Sequence, residues 1–101
     1  MKNYSYQLFQ LIADLKNLSE AKSFLTDFLA DSELKTLANR LSIIKLLDEG
    51  KSYVEIKKQL KVSSATIAST VELLERKGIE LGLRKIKLDA WATNLIEKIK
   101  I

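Results

Sequence analysis

The chain contains no proline, and its only glycines are Gly50, Gly78 and Gly82. With the two strongest breakers of regular structure this scarce, the chain is expected to fold into long helices with few stops. Apolar residues make up 47% of its 101 residues, enough to fold as one domain spanning 1–101. A lone domain of this size has a thin core. Burying part of its apolar surface in a partner subunit would add to it.

Apolar spacing places the helices. Tyr4 to Lys16 sets Leu8, Leu11, Ile12 and Leu15 on one face. Asn17 and Ser19 mark a break, with Ser19 able to cap a second helix from Glu20 to Ala30. That helix carries Phe24, Leu25, Phe28 and Leu29. Asp31 or Ser32 caps a third, whose stripe is Leu34, Leu37, Ala38, Leu41, Ile44 and Leu47. Gly50 is expected to end it in the left-handed conformation. Ser52 and Glu55 have the spacing of a capping box, opening a short fourth helix that runs to about Leu60. Ser63 or Ser64 caps a fifth, expected to reach about Lys77 and to stop at Gly78. Residues 79–88 fit either extended chain, by their near-alternation, or a helix with Ile79, Leu83 and Ile86 on one side. Asp89 is expected to start a last helix with Trp91, Leu95 and Ile99 facing inward.

Composition removes several function classes. There is no cysteine, so neither a disulfide frame nor a thiolate metal site can form. There is no histidine, the commonest general base and metal ligand. Asp and Glu fall on exposed helix faces without converging, and no glycine-rich phosphate loop or metal spacing is present. No enzyme, cofactor or metal site is expected. No apolar run approaches the roughly 18 residues that span a bilayer. The start, "MKNYSYQLFQLIADLK", reads as a folded helix and not a signal peptide, so a cytoplasmic protein is expected.

The charge is unevenly placed. Residues 1–49 hold six Lys/Arg against seven Asp/Glu, a net of −1. Residues 50–101 hold eleven against six, a net of +5. A basic second half suits a polyanion partner, or else it is a solvated lysine surface.

A short helix, a three- or four-residue turn and a longer helix make a helix-turn-helix, here over about 52–77. Ile56 and Leu60 face inward from its first helix, Val62 plugs the turn, and Ile67 and Val71 face inward from its second. The start of the second helix then points outward, toward the major groove of DNA. Two residues depart from the commonest pattern. Lys57 stands where a small alanine often lets the helices approach. Lys61 stands where glycine often takes the left-handed turn conformation, at a cost of about 1 kcal/mol or less.

The run from Leu34 to Thr70 resembles the trp repressor family, nearest its TrpR-like YerC/YecD branch. The resemblance rests on Leu37, Ala38, Arg40 and Leu41, then on Leu46, Leu47 and Gly50. It continues through Ser52, Tyr53 and Ile56 to Ser64, Ala65, Thr66 and Ile67. It implies a six-helix, all-α fold and an intertwined homodimer with one helix-turn-helix per subunit. The same broad fold also resembles the DNA-binding domain of the replication initiator. Either relative points to duplex DNA.

On this reading Ser64, Ala65, Ala68 and Ser69 lie at or near base edges. None offers the fork by which Arg grips guanine or Asn and Gln grip adenine. Small side chains instead permit close approach, a thymine-methyl contact from Ala65 or Ala68, and water bridges from the serines. Ser63, Thr66 and the surrounding Lys51, Lys57, Lys58 and Lys61 are expected to meet phosphates. Arg40 and Thr66 match one arginine and the threonine of the family's tryptophan pocket. Ser69 and Leu73 stand where its second arginine and its serine would be. With half the clamp missing, tryptophan is not expected as corepressor. Arg40 could equally serve in an ion pair. The function expected is a repressor-like transcription regulator reading a two-fold operator. The alternative is a helical protein-interaction or oligomerisation module without specific DNA binding.

Overall fold

The computed structural model describes residues 4–99. Among these the chain is all-α, with six helices and no strand: α1 (Tyr4–Asp14), α2 (Leu18–Phe28), α3 (Asp31–Asp48), α4 (Tyr53–Leu60), α5 (Ser64–Val71) and α6 (Lys77–Ile99). They form two compact units that divide between Ala38 and Asn39, inside α3.

In the first unit, α1 and α2 are joined by a short break that Asn17, not Ser19, organises. The Asn17 side chain accepts the Glu20 N–H at 2.9 Å, and the Glu20 carboxylate accepts the Lys16 N–H at 2.9 Å. These two bonds satisfy free N–H groups at the entry to α2, which begins at Leu18 and ends at Phe28. The expected start at Glu20 and end at Ala30 are corrected accordingly. At α3 the first-turn carboxylate does similar work: Glu33 accepts the Ala30 N–H at 2.8 Å. The rings of Phe24 and Phe28 stack, with centroids 5.0 Å apart. No residue of α1 or α2 is buried in the single chain.

The second unit holds the core. Ile43 and Leu46 of α3, Ile56 of α4 and Ile67 of α5 are buried together, with Leu47, Leu60, Val62 and Val71 packed against them. Each fully buried isoleucine contributes roughly 1.5–3 kcal/mol of transfer free energy. Ile43 and Leu46 lie outside the single apolar stripe expected for α3. That stripe's Leu37 and Leu41 are exposed, Leu41 by 50%. The helix is therefore apolar on more than one side.

Gly50 ends α3 as expected, at φ +84°. Its N–H donates to Leu47 C=O, and the Lys51 N–H donates to Leu46 C=O, each at 3.0 Å. This doubly bonded stop requires the left-handed residue. Lys87 of α6 pairs with Asp48 at 2.8 Å, tying α6 to the end of α3.

The second half departs from the sequence reading in three places. First, α5 ends at Val71, not near Lys77, and residues 72–76 form turns. Ser69 and Thr70 both donate their hydroxyls to the Thr66 carbonyl, at 2.9 and 2.8 Å. Such back-bonding competes with the helical ladder. The next N–H groups, of Leu73 and Leu74, bond only three residues back, to Thr70 and Val71. Second, Gly78 lies in the first turn of α6 and stops nothing. Residues 79–88 are helical, with Leu83 buried and Ile79 and Ile86 half-buried. Third, Asp89 is interior to α6, and Trp91, Leu95 and Ile99 are exposed, Trp91 by 61%. The end of this 23-residue helix carries its apolar side past the unit's core.

Candidate nucleic-acid interface

The interface is built on α4, a three-residue turn and α5. Ser52 caps α4 by accepting the Glu55 N–H at 3.2 Å. The Glu55 carboxylate accepts from the Ser52 hydroxyl at 3.3 Å, where a full capping box would have it accept the Ser52 backbone N–H. Lys61 ends α4 in the left-handed region, at φ 56° and ψ 43°, and its N–H donates to Lys57 C=O at 2.9 Å. It is the one described non-glycine residue at positive φ. The backbone thus makes the sharp turn that glycine makes more cheaply, and it does so with a lysine side chain attached.

Val62 then turns inward, and Ser63 caps α5. Its hydroxyl accepts the Thr66 N–H at 3.1 Å and lies 2.9 Å from the Thr66 hydroxyl. Of the two serines that could have capped this helix, Ser63 does so, and Ser64 becomes its first residue. Ile67 and Thr70 are buried and fix which side of α5 faces the core. Ser64, Ala65, Thr66, Ala68 and Ser69 are all exposed, with Ala65, Ala68 and Ser69 on the side opposite these anchors and Ser64 and Thr66 flanking them. An eight-residue helix with two buried anchors leaves a shallow outward face of methyl and hydroxyl groups.

The expected phosphate ligands are also exposed: Lys51 before α4, Lys57 and Lys58 in its last turn, Lys61 in the turn, and Ser63 and Thr66 at the start of α5. Basic residues at the C-terminal end of α4 also suit its negative dipole end. Arg40 is exposed on α3 and makes no ion pair among the described residues. Thr66 is exposed and Leu73 half-buried.

Glu72 escaped the sequence reading. It is the C-cap of α5, keeps helical backbone angles (φ −60°, ψ −21°) and is exposed. It continues the outward line of Ala65 and Ser69 at helical spacing. That spacing was available in the sequence once Ile67 was placed inward. Tyr53 and Val54, exposed at the start of α4, carried no comparable signal.

Among the described residues, no group of acidic, histidine or cysteine side chains could hold a metal ion, and no helix is long and apolar enough to cross a membrane. The arrangement offers non-covalent recognition: a small-residue helix face in a motif that also exposes four lysines.

Two comparisons bear on it. The family model described as Trp repressor protein matches residues 5–78, which include the whole of α4 and α5. A protein of Bacillus subtilis (strain 168), described as uncharacterized protein YerC, is 34% identical over 83 residues, covering 80% of each chain.

Proposed function

The chain belongs to the Trp repressor family, a family of DNA-binding regulators, and on that footing we propose that it binds a two-fold operator in duplex DNA as a homodimer. In this reading α5 enters the major groove. Ser64, Ala65, Ala68 and Ser69 approach base edges. Lys51, Lys57, Lys58 and Lys61, with Ser63 and Thr66, neutralise or hydrogen-bond phosphates. The protein acts in the cytoplasm as a transcriptional repressor that does not depend on tryptophan.

The observation that carries the reading is the pairing of α5's exposed face with its surroundings. The face has no side chain larger than threonine between Ser63 and Ser69, apart from buried Ile67. Four exposed lysines lie in the same motif, before α4, in its last turn and in the turn that leads into α5. Small side chains let a helix sit close to base edges, and the lysines supply the salt-dependent attraction that brings it there.

The homodimer rests on a second observation. Leu8, Phe9 and Ile12 of α1, Leu37 and Leu41 of α3, and Ile96 of α6 are exposed in the single chain. Exposed apolar side chains in each unit suit burial by a partner, and a two-fold copy also supplies the second reading head.

The test is a binding titration at several salt concentrations with Lys57→Ala and Lys58→Ala. Each is expected to weaken binding to all duplexes alike and to lower the salt slope by roughly 0.9 for each phosphate left without its lysine. Binding insensitive to salt and to both substitutions favours the protein-interaction module instead.

A further inference from the structure

Ser69 is exposed on the outward face of α5, and its hydroxyl donates to the Thr66 carbonyl at 2.9 Å. The direction is unambiguous, because a carbonyl oxygen only accepts. A serine hydroxyl has one proton and two lone pairs. With the proton committed to the backbone, the oxygen faces outward as an acceptor alone. The bond also favours one side-chain rotamer, in which the oxygen keeps a lone pair free for a donor.

The neighbours add to this polarity. Glu72, three residues on in helical conformation, is exposed and adds carboxylate acceptors. Thr70 spends its hydroxyl proton on the same Thr66 carbonyl and is buried, out of reach. From Ser63 to Val71 there is no Lys, Arg, Asn or Gln to supply a donor. The downstream half of the helix therefore presents acceptors and methyl groups.

In the major groove the hydrogen-bond donors are the exocyclic amino groups, N6 of adenine and N4 of cytosine. Guanine N7 and O6 and thymine O4 accept. We infer that Ser69 is a specificity-determining residue whose Oγ accepts from one such amino group in each half-site, with the Glu72 carboxylate beside it disfavouring a keto oxygen there. This rests on the proposed reading of α5 as the DNA-contacting helix, and it adds which base edges that helix selects.

The test has two steps. Duplexes are enriched from a randomised pool on the full chain. In the enriched duplex, each adenine is then replaced by purine, which lacks N6, and each cytosine by 2-pyrimidinone, which lacks N4, one at a time. The parent protein is expected to lose affinity about fivefold at one position per half-site, the size of one hydrogen bond. Which analogue produces the loss tells adenine from cytosine. Ser69→Ala is expected to bind the unmodified duplex about fivefold more weakly and to be indifferent to the same deletion. Circular dichroism checks that the variant is folded. If the parent tolerates every amino deletion, or Ser69→Ala suffers the same loss as the parent, the inference is overturned while DNA reading by α5 stands. If instead the parent, and not Ser69→Ala, loses affinity when guanine is replaced by 2-aminopurine, which lacks O6, Ser69 is donating and the inference is again overturned. If no duplex is enriched, the inference and the reading it rests on both fall.

Discussion

The backbone N–H of Lys61 donates to the carbonyl of Lys57 at 2.9 Å as the last helical bond of α4, and Lys61 itself turns the chain in the left-handed conformation. The turn of the helix-turn-helix is thus closed by two lysines, one of them in a conformation that suits glycine better. Lys61→Gly is expected to raise stability by up to about 1 kcal/mol, or a few degrees in Tm. The same change removes a cation from the interface. DNA affinity should fall, and the salt slope should drop by roughly 0.9 if Lys61 neutralises one phosphate. Thermal melts and binding titrations on one preparation check both. A variant that melts lower than the parent contradicts the account of the turn.

Ser63 is the cap of α5, so Ser63→Ala leaves the Thr66 N–H without its acceptor. The expected cost is about 1 kcal/mol in stability, measured by urea denaturation. Ser64→Ala, one position inside the helix, should change stability by less than half of that. Equal effects would mean that the cap is shared.

What was legible in the sequence was set by short spacings. Gly50, Ser52 and Ser63 act within three or four residues of themselves, and each stops or starts a helix where its type predicts. Ile56, Val62 and Ile67 follow from the same local rule. Less legible were features decided by competition. Gly78 reads as a stop, yet the stop had already occurred at Val71, just after Ser69 and Thr70 turn their hydroxyls back to the Thr66 carbonyl. Asn17, two residues ahead of Ser19, takes the cap of α2, and Glu20 reaches back past it to the Lys16 N–H. Ile43 and Leu46 were missed because α3 has apolar residues on more than one side, and a single-stripe reading picks only one. The inward placement of Trp91 assumed a core that this chain alone does not supply at that end of α6. For the site residues, residue type and spacing gave outward positions on α4 and α5, but spacing says nothing of what they touch.

The exposed apolar residues of α1, α3 and α6 carry the dimer prediction. Sedimentation at low micromolar concentration is expected to give twice the mass of the chain. A clean monomer under those conditions would remove the argument for a two-fold operator.

Tryptophan is expected to leave DNA affinity unchanged. Ser69 has its hydroxyl proton engaged with Thr66, and Leu73 offers no hydroxyl, so the second half of a ligand clamp is lacking on α5 and the turn after it. Binding tightened tenfold by millimolar tryptophan, about 1.4 kcal/mol, would overturn this.

The most direct measurement of the central claim is duplex binding by Ala65→Glu, followed by fluorescence anisotropy across several salt concentrations. Ala65 is exposed in the first turn of α5, where a carboxylate suits the helix dipole, so the fold should be unchanged by circular dichroism. In the groove the same carboxylate meets the negative potential of the duplex. The account predicts that specific binding is lost while the helical signal stays at the parent's level. A folded Ala65→Glu protein that binds the duplex as tightly as the parent would mean that α5 is not the reading head.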